Sequence, residues 1–419
     1  MSREMKDSGV AWLGEIPAGW ALPRAKTIFR LTNGRGNNRK LTLLAATQKH
    51  GMYPQELLES VVRVKEGTDL NTFRTVHKDD FVISLRSFQG GFERSDYEGV
   101  CSPAYQTFCA YRPIVSQYFK YLFKSGAFIH HLNSLTVGIR DGKNINYSDF
   151  ASSVIPVPPL EEQRCIADYL DTKCAEIDRA IKAAEDSIEE LNQYRISMMR
   201  QTVFRGKEGA RRHTRPSGVD FMGDIPAEWK VSRVWRHFRI VKNIAGRLGF
   251  DVLAVTKRGL KVKEVTRGEG QLASDYSKYQ IVEPGDYAMN HMDPVSGFVG
   301  LAASRGVTSP DYRVFRATEG TLDRGYYLYV FQLYYLAKVF YNKGLGEATS
   351  AWQRITKQTF LHCEIPFPPF KEQHAIADYL DSKCAEIASA ISAKQSIIED
   401  LKAYKQSLIY ETVTGKREV

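Results

Sequence analysis

IPVPPLEEQRCIADYLDTKCAEID, residues 155–178, and IPFPPFKEQHAIADYLDSKCAEIA, residues 365–388, are one segment written twice, 210 positions apart, with 17 of 24 positions identical. In each copy two prolines (Pro158 and Pro159; Pro368 and Pro369) close an extended run. They fix a helix-compatible φ where no amide donor is needed, and Glu161 and Glu162, or Glu372, then suit the positive end of a helix dipole. Each copy therefore opens a helix. In the first, Leu170, Cys174, Ile177, Ile181, Ala184, Ile188 and Leu191 step by four and three; in the second, Leu380, Cys384, Ile387, Ile391, Lys394, Ile398 and Leu401 do the same. That spacing is a coiled-coil seam rather than the broader stripe of a globular helix. Tyr194 with Met198, and Tyr404 with Leu408, extend the seams towards stop signals at Gly206 and Gly415. A helix over 160–203 is about 66 Å long at 1.5 Å per residue. Its seam outruns any one compact domain, so the economical partner is the other copy, and Lys394 is the one polar misfit.

A second match, SGVAWLGEIPAGW (Ser8–Trp20) and SGVDFMGDIPAEW (Ser217–Trp229), sits 209 positions apart in the same order, so a whole half is duplicated. Between the two blocks similarity fades, although SPAY (Ser102–Tyr105) and SPDY (Ser309–Tyr312) still correspond. Each half is a constant frame around a variable insert large enough for a domain. The expected division is a first recognition domain over 1–155, a first helix over 156–205, a linker over 206–218, a second domain over 219–365, and a second helix with its tail over 366–419.

With 419 residues, 43% hydrophobic and 25% charged, the chain suits two to three folded domains. It has no apolar run of membrane-spanning length and no secretory pattern at its start, so a cytoplasmic location is expected. Its six cysteines form no CxxC pair, which disfavours a structural metal or disulfide framework. The net charge of +10 is unevenly spread. Residues 155–203 carry a net −4 and residues 365–413 a net −2, which leaves about +16 on the remainder, mostly the inserts. The helices read as spacers and the inserts as cationic binders, the distribution a DNA reader needs.

Candidate DNA contacts are Arg and Lys for phosphates and Arg, Lys, Asn and Gln for base edges. In the first insert they are Asn33, Arg35, Asn37, Asn38, Arg39 and Lys40 of NGRGNNRK, then Lys49, His50, Arg86, Gln89 and Arg94, and Arg140, Lys143 and Asn144 of VGIRDGKNIN. In the second they are Lys242, Asn243, Arg247, Lys257, Arg258, Asn290, His291, Arg305, Arg313, Arg354 and Lys357. Tyr105, Tyr312 and Trp352 read as packing residues. Signatures of catalysis are missing: no GxxxxGK[ST] phosphate loop, no FxGxG-type strand, no HExxH, and no second proline in SPAY or SPDY. Asp168 with Asp171, and Asp378 with Asp381, share a helix face and read as solvated or partner-facing rather than catalytic. No catalytic residue and no metal ligand is assigned.

This constellation resembles the specificity subunits of type I restriction-modification enzymes along essentially the full chain, through the SGxxWLGxIPxxW opening and the IPxPPxxEQxxIAxYLDxKxxxI block. The resemblance implies an α+β fold in each insert, an antiparallel coiled coil of the two helices, and an internal pseudo-twofold repeat. It implies a non-catalytic DNA-binding subunit that reads two short half-sites across a spacer. It also implies two methyltransferase (modification) subunits and restriction/translocase subunits as partners, in phage defence. No cofactor is expected on this chain; S-adenosylmethionine, ATP and Mg are expected on those partners. Alternatives are the specificity subunit of a bifunctional or orphan methyltransferase complex, a structural tether, and a self-sufficient DNA enzyme.

Overall fold

The computed structural model describes the chain apart from residues 1–2, 36–40, 49, 59–69, 86, 136–144, 208–211, 257–258, 264–275, 294–296, 319 and 341–353. Packing divides the chain into two units, residues 1–185 with 395–419, and residues 186–394. Both boundaries fall inside the long helices, so each unit holds an insert, the first half of the helix that follows it, and the second half of the other helix.

In the first unit an antiparallel sheet in the order β1–β4–β2–β3 is formed by β1 (Phe29–Thr32), β2 (Phe81–Ile83), β3 (Glu93–Arg94) and β4 (Gln106–Ala110). Its buried face meets α1 (Ser116–Lys124), α2 (Gly126–Leu135) and α3 (Tyr147–Ser152). The core between them is a cluster of phenylalanines: Phe29, Phe81, Phe108, Phe119, Phe123 and Phe150 are all essentially inaccessible. Edge-to-face pairs such as Phe29 with Phe119, 5.2 Å apart, add to the burial. The helix α4 (Leu160–Arg205) follows.

The second unit repeats the order as β5–β8–β6–β7, with β5 (Phe238–Val241), β6 (Tyr287–Met289), β7 (Val299–Leu301) and β8 (Arg313–Ala317). It packs on α5 (Arg324–Leu336) and α6 (Lys357–Leu361) before the last helix, α7 (Phe370–Val413). Both inserts are thus α+β.

Both helices start after their paired prolines and stop where expected. Gly206 (φ +84°) and Gly415 (φ +72°) occupy the left-handed region just past the last turn, where a side chain would be strained. Their antiparallel course shows within each unit. In the first, Lys405 of α7 donates to Asp178 of α4 at 2.7 Å. In the second, Met198, Met199 and Val203 near the end of α4 share a core with Ile376, Leu380 and Ile387 near the start of α7.

Of the seam residues, Leu170, Cys174, Ile177, Ile181, Leu380, Ile387 and Ile398 are buried. Ile188, Leu191, Cys384, Ile391 and Leu401 are half-buried, as are Ala184 and Lys394. Tyr194 and Tyr404 do not extend the seam. They are 57% and 48% exposed, whereas Met198 and Leu408 are buried as expected, with Met199 and Ile409 buried beside them.

The same hydrogen bonds attach each insert to the frame. Gln163 donates to Pro158 O and accepts from Val115 N; Gln373 donates to Pro368 O and accepts from Asp323 N. Trp20 Nε1 donates to Glu162 and Trp229 Nε1 to Glu372, both at 2.9 Å. Tyr118 OH donates to Val413 O at 2.9 Å and Tyr326 OH to Val203 O at 3.0 Å. Each insert therefore grips the end of the helix that follows the other insert.

Asp171 and Asp381 accept from Tyr121 OH and Tyr329 OH at 2.5 and 2.6 Å. Burial, together with these carboxylates, pushes both phenols far up, so they remain donors. The aspartates are latches between helix and insert rather than a bare solvated face. The expected linker 206–218 is not all linker, since Thr214–Pro216 pairs with Asp224–Pro226 as Met5–Asp7 pairs with Glu15–Pro17.

Candidate nucleic-acid interface

Strand register gathers the candidate residues at one end of each sheet. In the first unit Thr32, the last residue of β1, faces Thr107, and Gln106, which opens β4, faces Ile83 at the end of β2. The chain leaving β1 (Asn33, Arg35), the turn entering β4, and the segment entering α3 therefore meet. Asn33 and Arg35 are exposed, and Arg35 forms an isolated bridge with Arg74. Gly34 lies so close to Thr75 that a Cβ there would collide with its hydroxyl, so glycine sets this approach. Gln106 bolts the end together. Its Oε1 accepts from Tyr147 N at 2.7 Å, and its Nε2 donates to Asn146 Oδ1 at 3.1 Å.

His50, Gln89 and Arg94 lie along a different surface, a cleft of about 570 Å³ that also takes in Lys120, Lys124 and Lys405. His50 sits at a hairpin tip with its ring 5.0 Å from Tyr53, and Gln89 is exposed. Several cations of this cleft are already engaged. Arg94 bonds Asp79, Asp96 and Ser116, Lys124 pairs with Glu93, and Lys405 with Asp178. Arg94, expected as a DNA contact, has a side chain only 11% exposed and ties three segments of its own domain together.

In the second unit the same register brings Lys242 (after β5), His291 (after β6), Arg313 (opening β8) and Arg354 (before α6) around one cleft of about 230 Å³. Arg313 corrects the expectation made for it. It is 8% exposed, donates to Ile355 O at 2.8 Å and Thr356 O at 3.4 Å, and lies 5.5 Å from the Phe360 ring centre. Burial pulls its pKa down to about 10. It is a bolt in the place of Gln106, not an outward-facing reader.

His291 is pushed down to about 4, by burial first and then by Arg313 and Arg354. Asn290 turns inward to its own backbone: Oδ1 accepts from Met292 N, and its carbonyl accepts from Tyr335 OH. Lys242, Asn243, Arg354 and Lys357 are exposed. Arg247 and Arg305 flank the Phe250 ring at 5.2 and 5.6 Å, and Arg305 also pairs with Glu283 at 3.2 Å.

Asn37, Asn38, Arg39, Lys40, Lys49, Arg86, Arg140, Lys143, Asn144, Lys257 and Arg258 lie outside the described residues, as does Trp352. Tyr105 and Tyr312 are half-buried at the corresponding turns, in keeping with packing. Gln106 escaped the sequence reading, although its position directly after SPAY, matching Arg313 after SPDY, was the available signal. Among the described residues, no cluster of His, Cys, Asp and Glu is placed to hold a metal ion, and no helix is long and apolar enough to cross a membrane.

Comparison with known proteins agrees with this architecture. The profile of the "Type I restriction modification DNA specificity domain" matches residues 23–190 and 291–397, more than half of the chain. The "Putative type I restriction enzyme MjaX specificity subunit" of Methanocaldococcus jannaschii is 24% identical over 286 residues, covering 66% of this chain and 62% of that protein. The "Type I restriction enzyme EcoKI specificity subunit" of Escherichia coli K12 is 25% identical over 279 residues, covering 61% and 53%. The matches thus span between half and two thirds of the length of these relatives.

A solved chain from work on "complex assembly and conformational transition of the type I R-M system" shares the fold, with TM-score 0.71, 17% identity, and 96% of this chain and 99% of that one covered. The "HsdS subunit from Thermoanaerobacter tengcongensis" aligns with TM-score 0.50 and 17% identity, over 96% and 98%. A duplicated frame, an α+β domain in each half and a profile matching both halves make one conclusion: this chain belongs to the type I restriction-modification DNA specificity family.

Proposed function

We propose that this chain is the DNA-recognition subunit of a type I restriction-modification complex, reading a bipartite, asymmetric site with one half-site per insert. One observation carries this reading. Two copies of the same frame, held by the same hydrogen bonds, present different side chains at the same sheet end. At the exposed positions just past the first strand, Asn33 and Arg35 of the first half correspond to Lys242 and Ile244 of the second, while Gln106 and Arg313 secure the segments behind them. A protein selected only to tether partners has no use for such divergence on cationic inserts, whereas a reader of two unrelated half-sites needs it.

In this reading the chain is not itself an enzyme. It docks two methyltransferase subunits, one per pseudo-equivalent half, together with restriction/translocase subunits, and S-adenosylmethionine, ATP and Mg act on those partners in the cytoplasm. Two modest half-site binders joined in one chain gain effective concentration, so the intact site binds far better than either half.

Methylome sequencing of cells expressing the chain with its methyltransferase subunit tests the proposal. The expected result is methylation at a split, non-palindromic motif that disappears when the chain is deleted. Methylation that persists unchanged without it, or at an unsplit motif, refutes the assignment.

A further inference from the structure

The small cleft at the sheet end of the second unit differs in charge from its counterpart in the first. Lys242 stands 209 positions after Asn33, and Arg354 stands 210 positions after Asn144, so two amides of the first half are replaced by two cations. Both cations line the cleft. Nearby arginines are committed, Arg305 to Glu283 and Arg316 to Asp286. Lys242 and Arg354 have no ion-pair partner among the described residues, and Asp311, which also lines the cleft, pairs with neither.

The backbone that carries Arg354 is fixed. Ile355 N donates to His291 O at 2.8 Å, and the buried guanidinium of Arg313 holds the carbonyls of Ile355 and Thr356. A cation on a fixed backbone has only its side-chain freedom left to lose when it engages an anion. The nearby His291 ring is held neutral by burial first, then by Arg313 and Arg354, with the Asp311 carboxylate opposing.

The lining suits a phosphate, which presents acceptors alone; a guanine edge also offers two acceptors, and salt dependence together with a scrambled half-site separates the two. Lys242 and Arg354 supply only donors. The Gln280 amide is occupied, its Nε2 donating to Ser309 O and Tyr312 O.

We propose that this cleft seats one backbone phosphate of the second half-site, held jointly by Lys242 and Arg354, with Arg313 as the positioning residue of the segment that bears Arg354. The proposal rests on the DNA-recognition reading above. It makes the seat a device for register and affinity rather than for sequence.

The test uses the full chain with Lys242→Asn and Arg354→Asn, singly and together. The first change installs the residue found at the same place in the first half, and the second follows the same sequence correspondence. Binding is measured across a salt series on a duplex carrying the methylated motif and on one with its second half-site scrambled.

Each phosphate contact contributes about 0.9 to the log–log salt slope, so losing one makes a fourfold rise in salt about 3.5-fold less damaging. The expected results are three. Affinity falls by the same factor on both duplexes; the double variant loses about one unit of slope rather than two; and one neutral methylphosphonate in the second half-site reproduces the loss and makes the variants silent.

Variants that bind like the parent overturn the seat. So do variants that lose affinity only for the intact motif at unchanged slope, which would mark a base contact instead. If the parent chain itself fails to distinguish the two duplexes, the DNA-recognition reading falls and takes the seat with it. Failure confined to the variants leaves that reading standing.

Discussion

A fragment of residues 1–210 keeps the first insert and α4 but loses residues 395–419, which complete the first unit. Those residues bury Ile398, Leu408, Ile409 and Val413, all less than a tenth exposed. At roughly 1.5–3 kcal/mol per buried aliphatic side chain, about 6–12 kcal/mol of burial goes with them. That is of the order of a whole domain's net stability, so the fragment is not expected to persist as a folded monomer.

A second copy can fill the gap, because 210 positions earlier stand Ile188, Met198, Met199 and Val203. Two of the four positions are unchanged, and the exchanges of Leu408 and Ile409 for methionine cost less than about 1.5 kcal/mol each. Arg195 stands in for Lys405 opposite Asp178, and Ala184 for Lys394. The expected product is a symmetric dimer. Sedimentation equilibrium reports its mass, and with methyltransferase subunits supplied, methylome sequencing shows a palindrome built from the first half-site. A soluble, cooperatively folding monomer refutes the reasoning, as does a complex that still modifies the asymmetric motif.

The grip on each helix end is testable by Tyr118→Phe and Tyr326→Phe, which leave Val413 O and Val203 O without their hydroxyl donor. Each is expected to lower unfolding stability by about 1–3 kcal/mol in urea titrations, and a loss below about 0.5 kcal/mol in both would show that the bonds do not hold the helix ends. His291 has a folded pKa of about 4, below its ordinary value, so it favours folding above pH 6.5, and that contribution is lost as pH falls from 6.5 through 4. Asp311 opposes the downward shift, and Arg313 and Arg354 drive it after burial. His291→Asn should flatten the decline of the urea midpoint over this window; an unchanged decline would mean that the ring titrates normally.

The frame was legible because its signals are local. Paired prolines, first-turn glutamates and a glycine past the last turn fix where α4 and α7 begin and end, and four-three spacing marks the buried face. Tyr194 and Tyr404 lie off the four-three step, which runs from Leu191 through Arg195 to Met198 and from Leu401 through Lys405 to Leu408. Burial keeps to that step at Met198 and Leu408 and leaves the tyrosines exposed.

The latches on Asp171 and Asp381 could not be read. Their donors, Tyr121 and Tyr329, lie about fifty residues upstream in inserts that share little sequence. Arg313 misled for a different reason. Arginine is rarely buried, so charge alone argued for an outward position, and only its alignment with Gln106 after the SPxY turn pointed to the shared bolting role.

That bolt shows how the molecule separates stability from specificity. Where the frame meets an insert, both halves use the same chemistry: glutamine to proline carbonyl, tryptophan to glutamate, tyrosine to the carbonyl at a helix end. At the sheet ends the geometry is kept while the chemistry changes. Gln106 accepts a backbone amide and donates to a side chain, whereas Arg313 donates to two backbone carbonyls, yet each secures the segment that enters the next helix. In the proposed DNA-recognition role, a substitution on the exposed residues beside these bolts, such as Asn33 or Lys242, changes what is offered to DNA while leaving the bolts in place. One duplicated scaffold can carry two unrelated readings, and the inserts are free to diverge as far as the bolts and latches allow.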